Sequence, residues 1–505
     1  MFKSFIGYHL EAERRKAKYA LRAATANTRL LKLLFCVIIL LVLWNIPSTA
    51  FGIDGLTVVE QRVIAVFCFS TLMWILEAIP AWNTSVAAIV ILLFCVSDSG
   101  LWCMTGDLPE EQMSQLISYK KILACFADPI IMLFIGGFIL AIAATKSGLD
   151  VKLARVMLKP FGTKSENVLL GFLLVTGLFS MFLSNTATAA MMLTFLAPVL
   201  KSLPAKGKGK VCLALAIPIG ANIGGIGTPI GTPPNAIALK FLNDPSGLDL
   251  NIGFGQWMMI MFPFALLLLF IAWIVLQRLF PFTQKKIELN IEETEEKKLS
   301  PWQNWVVYIT FMVTILLWMT DKFSGVNSNV VAMLPVGVFS VAGIITRTDL
   351  EEINWSVLWM VAGGFALGLA LQDTGLAKHL IETIPFNTWS PILMIVGSGL
   401  LCYAMANFIS HTATANLLVP ILAMAGMSAA ANLATFGGVS TLLIGVALGS
   451  SLAMVLPIST PPNALAHATG LIEQKQMVKV GLIMGIIGLT LGYIMLIFVG
   501  KAGIL

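Results

Sequence analysis

The stretch TPPNA at residues 232–236 recurs as TPPNA at residues 460–464. Three other motifs recur in the same order, at nearly the same offset of 226 to 228 residues. They are GGF at 136–138 and 363–365, SGL and TGL at 147–149 and 374–376, and SNTATA and SHTATA at 184–189 and 410–415. Four collinear matches predict that the chain consists of two homologous halves.

The composition predicts a membrane protein. Of the 505 residues, 58% are hydrophobic and 11% are charged, whereas soluble domains carry about 25% charged residues. Between Glu382 and Glu473 there is no Asp, Glu, Lys or Arg. The net charge is +6, but the basic residues lie in loops, which suits the positive-inside rule and argues against nucleic-acid binding. The seven cysteines are scattered without a CxxC pair, which favours neither disulfides nor a metal site.

Apolar segments of about 20 residues, the length of a membrane span, predict an all-α polytopic fold with about 11 transmembrane helices. Two further apolar stretches, 167–200 and 390–427, are each interrupted near the middle by a polar cluster. Each is either a re-entrant hairpin or a pair of crossings, because both return the chain to the same side. The linker 281–302 is densely charged and predicts a solvated connection between the halves.

The distribution of Lys and Arg predicts the orientation. Residues 1–29 are strongly basic and form a cytoplasmic arm, and the basic loops 146–164 and 201–210 then also lie inside. The C-terminus is expected outside. Counting the predicted spans from a cytoplasmic N-terminus, the helix with Gly136 runs from outside to inside and the helix with Gly363 runs from inside to outside. The repeats are therefore inverted. Inverted repeats with interrupted helices are typical of secondary transporters, whose binding sites lie at the breaks.

Each half contains two predicted helix breaks, one at the Ser-(Asn/His)-Thr cluster and one at Thr-Pro-Pro-Asn. Tandem prolines remove backbone donors and open a helix. The exposed helix N-termini attract carboxylates, and the bared carbonyls suit a hard cation such as Na⁺. No Lys or Arg lies near these clusters, so a buried dianion needs co-bound cations. Small polar residues also hold helices together, but four paired motifs at breaks favour a binding site.

At these residues the chain resembles the divalent anion/sodium symporter family, which includes dicarboxylate and citrate transporters. GANIGG at 220–225 and EAIP at 77–80 add to the resemblance, which covers about 60–500. It implies two re-entrant hairpins, a homodimer, a scaffold domain, a moving transport domain and elevator-type alternating access.

The resemblance divides the chain into consecutive segments. These are a cytoplasmic basic arm, 1–29; scaffold helices, 30–127; transport repeat 1, 128–256, with hairpin 167–200 and broken helix 211–239; scaffold helices, 257–354, with the linker 281–302; transport repeat 2, 355–478, with hairpin 390–427 and broken helix 438–470; and a C-terminal helix, 479–505.

The resemblance also implies the site residues. One substrate carboxylate is expected at the first-half motifs and the other at the second-half motifs, a set comprising Ser184, Asn185, Thr186, Thr232, Pro233, Ser410, His411, Thr412, Thr460 and Pro461. At least one sodium site is implied, with ligands from Ser180, Ser184, Asn185 and the backbone of Gly231. A second, degraded sodium site would use Ser410, His411 and the backbone of Ser459.

The second half departs from the family pattern. His411 stands where the family has Asn, and Ala406 stands where the repeat predicts a counterpart of Ser180. His411 is interpreted as a neutral substitute for Asn, as a protonated fixed charge in place of Na⁺, or as a proton carrier. A fixed charge would favour exchange, because an empty carrier would cross the membrane less easily.

The predicted function is sodium-coupled symport of C4-dicarboxylates (succinate, malate, fumarate) or related di- and tricarboxylates, in a bacterial inner membrane. The alternative is a sodium-independent exchanger with His411 as part of the countercharge. An intramembrane protease is disfavoured because no GxSxG, HExxH or GxGD motif occurs, and we predict no enzymatic activity. An anion channel is also disfavoured, because channels show inverted repeats with interrupted helices less often than secondary transporters do. The expected partners are a small dicarboxylate, the lipid bilayer and a second copy of the chain.

Overall fold

The computed structural model describes residues 28–201, 203, 207–245, 247–287, 299–383 and 386–504. The predicted basic arm 1–29 lies outside the described residues except for its last two positions, and residues 288–298 of the linker 281–302 also lie outside them. The described residues are predominantly helical and contain no β-strand; two isolated β-bridges join Ser97 to Ile117 and Lys164 to Lys286.

Nineteen helices of eight residues or more organise the described part of the chain. The first ten are α1 (Thr28–Asn45), α2 (Val58–Leu76), α3 (Ala81–Cys95), α4 (Pro129–Ser147), α5 (Leu149–Leu158), α6 (Ser165–Ser180), α7 (Asn185–Lys201), α8 (Gly209–Gly225), α9 (Pro233–Leu242) and α10 (Phe254–Leu279). The others are α11 (Pro301–Met319), α12 (Met333–Val341), α13 (Trp355–Asp373), α14 (Leu376–Thr383), α15 (Ser398–Ala406), α16 (His411–Ser428), α17 (Gly438–Ser451), α18 (Pro461–Ala468) and α19 (Gln474–Lys501).

Shorter helical turns connect these helices. They are Ser48–Phe51, Trp102–Thr105, Glu110–Met113, Tyr119–Ala124, Cys125–Ala127, Lys159–Phe161, Asp321–Ser324, Ser328–Val331, Arg347–Glu351, Phe386–Thr388, Ala430–Leu433 and Ala434–Phe436, with a π-helical turn, Leu393–Gly397, leading into α15.

Seven helices of the described residues are long and apolar enough to cross a bilayer, which identifies an integral membrane protein. They are α1, α2, the continuous stretch Tyr119–Ser147 that includes α4, α10, α11, α13 and α19. The other four predicted spans correspond to shorter helices: α3, the stretch Ser328–Val341, and the two broken pairs α8–α9 and α17–α18. The count of eleven crossings therefore remains a prediction.

The chain divides into two compact units by internal contacts. Unit 1 comprises the described part of Met1–Asp128 with Ser356–Ser390 and Asn416–Ala429, and unit 2 comprises Pro129–Trp355, Pro391–Ala415 and Ala430–Leu505. These boundaries differ from the predicted scaffold and transport segments, because unit 1 takes parts of the second repeat. The division into scaffold and transport domains remains a prediction.

Unit 1 contains a fully buried carboxylate at the start of α2. Glu60 forms a capping box with Thr57, and its Oε1 lies 2.9 Å from Nδ1 of His379 on α14. Burial of an unpaired carboxylate is costly, so these contacts fix the first turn of α2 against α14.

The internal repeat is visible in the order of elements. Helices α4 to α10 are matched in sequence by α13 to α19, so that two hairpin-like pairs, α6–α7 and α15–α16, each precede a broken pair, α8–α9 and α17–α18. Gly148 and Gly375 occupy equivalent places after α4 and α13, with φ of 68° and 86°. Only glycine adopts this left-handed conformation without strain, which explains the recurrence of Gly in the SGL and TGL motifs.

Glycine also sets the packing of each hairpin against its broken helix in unit 2. A Cβ on Gly224 of α8 would overlap the backbone of Gly177 on α6, and a Cβ on Gly449 of α17 would overlap the backbone of Gly399 on α15. Small residues allow such close approach of helix backbones inside membranes. Both halves therefore place their broken helix directly against the first helix of the hairpin.

A partly buried ion pair holds the end of α4 within unit 2. Nζ of Lys146 lies 2.6 Å from Oδ2 of Asp349 and donates to the carbonyl of Ile344 at 2.8 Å. The backbone N–H and the hydroxyl of Thr346 donate to the same oxygen, each at 2.6 Å. Burial raises the pKa of Asp349, but the hydrogen bonds from Lys146 and Thr346 outweigh it and hold the pKa below its usual range.

We predict that Asp349→Asn destabilises the detergent-solubilised protein by about 1–3 kcal/mol, because it leaves the partly buried Lys146 without its counterion. The lowered pKa means that the stabilisation is present above the pKa of the unfolded chain and is lost as the pH falls through the folded value. Melting curves from pH 7 to pH 3 should therefore converge for the two proteins at the acid end. Glu351→Gln on the same short turn is the control, and an equal loss in both variants would contradict this assignment.

Candidate functional site

The predicted binding motifs of the hairpins lie at the turns between paired helices. Helix α6 ends at Ser180 and α7 begins at Asn185, while α15 ends at Ala406 and α16 begins at His411. The serine before each second helix accepts a backbone N–H two residues inside it: Ser184 from Ala187 at 3.2 Å, and Ser410 from Ala413 at 3.1 Å. A serine in this position satisfies one of the free donors of a helix N-terminus.

The Thr-Pro-Pro-Asn motifs lie at the restart of each broken helix. Thr232 and Thr460 have extended backbones, with φ of −148° and −139°, and the two prolines that follow occupy the first turns of α9 and α18. Proline is tolerated there because the first helical N–H groups have no intrahelical acceptor. The chain between α8 and α9, and between α17 and α18, consequently runs without regular helical bonds.

The asparagine of the first motif closes the loop before it. Nδ2 of Asn235 donates to the carbonyls of Gly225, Ile226 and Thr228 at 3.1, 3.2 and 2.8 Å. The side chain is fully buried, and bared carbonyls in such a place need donors. Asn235 thus supplies the hydrogen bonds that the interrupted helix lacks.

Asn463 does the same in the second half. Its Nδ2 donates to the carbonyls of Met454 and Leu456 at 2.9 and 3.0 Å, which are the repeat counterparts of Ile226 and Thr228. The Pro-Pro-Asn motif therefore encodes both the opening of the helix and the closure of the loop.

Three oxygens converge at the first hairpin. The hydroxyl of Ser180 lies 2.5 Å from Oδ1 of Asn185 and 2.8 Å from the carbonyl of Ala221, and Ser180 is fully buried. One hydroxyl proton serves only one of these two acceptors. The cluster has surplus lone pairs, and hard cations are bound by such oxygens.

Gly225 allows two predicted sodium ligands to approach each other. The point that a Cβ on Gly225 would occupy is 2.8 Å from Oδ1 of Asn185 and 3.1 Å from the carbonyl oxygen of Gly231. Any side chain at position 225 would fill the space between them. Of the four residues predicted for the first sodium site, the structure brings Ser180, Asn185 and Gly231 together, while the hydroxyl of Ser184 caps α7.

The equivalent place in the second half is occupied by the protein itself. Nε2 of His411 lies 2.6 Å from the carbonyl of Ala453, so the ring donates an N–H to that oxygen. Ala406, at the position of Ser180, has no hydroxyl. The second half therefore offers fewer free oxygens at this place than the first half does. A degraded second sodium site remains a prediction.

Asn407 also holds the loop between α17 and α18 in place. Its Oδ1 accepts the backbone N–H of Val455 at 2.9 Å, and its own carbonyl accepts the hydroxyl of Ser459 at 2.9 Å. The predicted ligand Ser459 is therefore engaged through its side chain in holding the loop to the hairpin turn. The repeat places Met181 at this position in the first half, which has no comparable side chain.

The last turn of α8 connects the motifs of both halves. Ala221 accepts from Ser180, and Gly225 adjoins Asn185. Between them Asn222 donates its Nδ2 to Oγ1 of Thr460 at 3.2 Å and to Oδ1 of Asn463 at 3.0 Å. Within unit 2, therefore, first-half and second-half motifs meet at one helix end.

The other residues predicted to contact the substrate differ in how far they are exposed to solvent. Thr186 is exposed, whereas its counterpart Thr412 is buried. Thr232 and Thr460 are both buried, and Pro461 is exposed while Pro233 is half-buried. Their contact with a substrate remains a prediction.

Sequence reasoning missed Asn222 and Asn407. Asn222 lies inside the GANIGG stretch, where the resemblance singled out the segment but not the residue. A buried asparagine in an apolar helix was the available signal, since such a residue needs partners. Asn407 had no signal, because its counterpart Met181 is apolar and the repeat gave no reason to examine it.

Comparison with known proteins identifies the family. The model of the sodium:sulfate symporter transmembrane region matches residues 27–502. The chain belongs to this family. It is 30% identical over 464 residues to the sodium-dependent dicarboxylate transporter SdcS of Staphylococcus saprophyticus, covering 85% of this chain and 84% of that one. It is 29% identical over 481 residues to SdcS of Staphylococcus aureus (strain USA300), covering 87% and 86%.

Two solved structures share the fold with this member of the sodium:sulfate symporter family. The YdaH transporter of Alcanivorax borkumensis aligns over 76% of this chain and 88% of its own, with a TM-score of 0.53 and 12% identity. The antimetabolite efflux pump MtrF of Neisseria gonorrhoeae aligns over 83% and 94%, with a TM-score of 0.52 and 12% identity. The family confirms the predicted resemblance, identifies a membrane transporter and confirms that the protein is not an enzyme.

We predict that Asn235→Asp destabilises the transporter by about 3 kcal/mol or more. A carboxylate oxygen replaces the donating amide group, so the buried loop carbonyls lose their hydrogen-bond donor and face another acceptor. The loss of stability is measured by heating the protein in detergent and following the decrease of its monodisperse peak by fluorescence-detected size-exclusion chromatography. Asn251→Asp is the matched control, since Asn251 is exposed and its left-handed backbone suits either residue. Equal melting temperatures in the two variants would remove the loop-closing role of Asn235.

Proposed function

We propose that the protein is a sodium-coupled transporter of C4-dicarboxylates such as succinate, malate and fumarate. The observation that carries this proposal is the meeting of both repeats' motifs at the last turn of α8, where Asn222 bonds to Thr460 and Asn463 beside the Ser180–Asn185 cluster. The relatives named sodium-dependent dicarboxylate transporters support the substrate class and the coupling ion.

The chemistry of the cluster suits a dianion. The starts of α7, α9, α16 and α18 carry the motifs, and helix N-termini carry partial positive charge and free N–H groups. Two of these helix N-termini belong to each half, so each half can bind one of the two carboxylates of a short diacid. No Lys or Arg occurs within the motifs, so the remaining negative charge requires a cation that travels with the substrate.

The first half supplies the cation site. Ser180, Asn185 and the carbonyl of Ala221 leave lone pairs unsatisfied, and Gly231 lies beside Asn185 across Gly225. These are neutral oxygens, which suit Na⁺ better than a divalent ion that prefers carboxylates. In this role sodium is a co-transported substrate.

A sodium-independent exchanger is the second candidate. The observation that favours it is the second half, where His411 and Asn407 already satisfy the oxygens of Ala453 and the N–H of Val455. A half that needs no cation weakens the case for two coupled ions. The intact oxygen cluster around Ser180 keeps symport ahead.

The wider arrangement follows from the same proposal. Inverted repeats around a central site move by rocking or sliding one part of the protein against another. We propose an elevator-type movement in a homodimer, with a cytoplasmic N-terminus in a bacterial plasma membrane. The relatives are bacterial, and the basic loops 146–164 and 201–210 suit a cytoplasmic location.

Reconstituted liposomes test the coupling directly. Radiolabelled succinate uptake is measured with an inward Na⁺ gradient into empty vesicles, and without Na⁺ into vesicles preloaded with unlabelled succinate. We expect uptake only with the gradient. We also expect Ser180→Ala to raise the Na⁺ concentration for half-maximal uptake about tenfold, the equivalent of about 1.4 kcal/mol of lost coordination.

Uptake that needs preloading and ignores Na⁺ would overturn symport in favour of exchange. The matched control is Ser340→Ala, because Ser340 is an exposed serine of α12 that belongs to neither motif. Absence of uptake under both conditions would reject succinate, and citrate and sulfate would then be compared in the same vesicles.

A second prediction concerns His411. His411→Asn restores the side-chain oxygen of the first-half motif, and adding Ala406→Ser restores the missing hydroxyl. We expect the double variant to show a steeper dependence of uptake on Na⁺ than the wild type, because a second oxygen cluster becomes available. An unchanged Na⁺ dependence of the double variant would mean that His411 does not replace a cation.

A further inference from the structure

The loops that interrupt the two broken helices have almost the same sequence. Residues 228–236 read TPIGTPPNA and residues 456–464 read LPISTPPNA, at a constant offset of 228. The two stretches differ only at Thr228, which corresponds to Leu456, and at Gly231, which corresponds to Ser459. Each loop therefore carries one hydroxyl group at these two positions, but the hydroxyl stands at the first position in one loop and at the second position in the other.

In the first half the hydroxyl of Thr228 joins the loop to the hairpin. Its Oγ1 donates to the carbonyl of Met181, the residue that follows Ser180 at the hairpin turn. The same oxygen accepts the backbone N–H of Gly231 at 3.0 Å, and Thr228 is fully buried. We call a loop hydroxyl that donates to the hairpin turn and accepts a loop N–H a hydroxyl clamp. Buried carbonyls and N–H groups need such partners, so the clamp holds the loop to the turn.

In the second half the hydroxyl of Ser459 forms the equivalent clamp from the other position. Its Oγ donates to the carbonyl of Asn407 at 2.9 Å and accepts the backbone N–H of Leu456 at 3.1 Å. Asn407 corresponds to Met181 at the hairpin offset of 226, and Leu456 corresponds to Thr228 at the loop offset of 228. The clamps of both halves therefore bridge the same two segments, although their hydroxyl groups stand at different positions of the loop.

The space beside Gly231 explains why the first half carries its hydroxyl at position 228. A Cβ on Gly231 would overlap the carbonyl oxygen of Gly225, where the predicted ligands of the first sodium site approach each other. In the second half Ser459 has a Cβ, and the carbonyl of Ala453, which corresponds to Gly225, accepts the N–H of His411. A serine at position 231 is therefore excluded in the first half, and the threonine at position 228 supplies the hydroxyl instead.

We propose that Thr228 is a positioning residue of the first sodium site. Its hydroxyl holds Gly231, a predicted backbone ligand of the ion, at a fixed place relative to the turn that follows Ser180. Thr228 acts through Gly231 and Met181 and does not itself contact the ion. This inference rests on the proposed sodium coupling, and it adds to the site a residue that lies outside the repeated motifs.

The groups of this site come from separate segments, so the distances between them depend on contacts such as the clamp. Ser180 ends α6, Asn185 begins α7, and Gly231 lies in the loop between α8 and α9. Removing a group that holds a metal ligand in place typically lowers the affinity for the ion by about 10–100-fold. Loss of the Thr228 hydroxyl should therefore weaken sodium binding, although every predicted ligand stays in the chain.

Two substitutions at position 228 test this role. Thr228→Val keeps the shape of the side chain and removes the hydroxyl, whereas Thr228→Ser keeps the hydroxyl and removes a methyl group. Uptake of radiolabelled succinate into liposomes is measured at varied Na⁺ and at varied succinate concentrations. We expect Thr228→Val to raise the Na⁺ concentration for half-maximal uptake about tenfold. We expect Thr228→Ser to retain the wild-type value.

Thr314→Val is the matched control, because Thr314 is a fully buried threonine of α11 whose hydroxyl donates to the carbonyl of Thr310 at 2.7 Å. A hydroxyl with a purely structural role affects the amount of active transporter and hence the maximal rate, so we expect Thr314→Val to keep the wild-type Na⁺ dependence. An unchanged Na⁺ dependence in Thr228→Val, or an equal rise in both valine variants, would overturn the positioning role. Wild-type uptake that is indifferent to Na⁺ would instead overturn the proposed coupling itself.

An exchange of the two loop positions in the second half keeps the proposal testable if Thr228→Val does not fold. Ser459→Gly removes the second clamp, and adding Leu456→Thr recreates the arrangement of the first half. The melting temperatures in detergent of the wild type, the two single variants and the double variant form a double-mutant cycle. We expect the double variant to be more stable than the sum of the two single losses predicts. Additive losses would show that a threonine at the first position does not form the clamp, and they would overturn the inference.

Discussion

The structure depends on one constraint, which is that a helix broken inside a membrane leaves carbonyls and N–H groups that lipid cannot satisfy. Asn235 and Asn463 meet this constraint by donating side-chain N–H groups to the carbonyls that the breaks expose. Because the same motifs begin with Thr-Pro-Pro, each motif both interrupts the helix and supplies the hydrogen bonds that satisfy the exposed carbonyls. The polar clusters around α8 exist because these loops are held open in this way.

The sequence predicted much of this arrangement because repetition and proline chemistry are local signals. The recurrence of TPPNA located both breaks, and the prolines of 233–234 and 461–462 start α9 and α18. The SNTATA and SHTATA motifs located the hairpin turns at Ser184 and Ser410. The family followed from the same residues and was confirmed by comparison.

Contacts between distant segments were beyond sequence reasoning. Asn222 reaches Thr460 across 238 residues, and no spacing rule indicates such a pair. Asn407 closes the second hairpin only because a loop 48 residues away presents the N–H of Val455 to it. The scaffold and transport segments were inferred from resemblance, whereas the compact units follow contacts that hydropathy does not encode.

The asymmetry between the halves bears on the proposed sodium coupling. In the second half the ring of His411 and the amide of Asn407 satisfy the loop in the absence of any ion. In the first half the hydroxyl of Ser180 has two acceptors for its one proton, and Oδ1 of Asn235 has no hydrogen-bond partner. Under the proposed symport, this asymmetry would concentrate the ion dependence in the first repeat, because the second repeat already supplies donors to its own loop. Under the same proposal, the second repeat would act as a pre-organised receptor for one carboxylate, and the first would determine whether the substrate is accompanied by sodium.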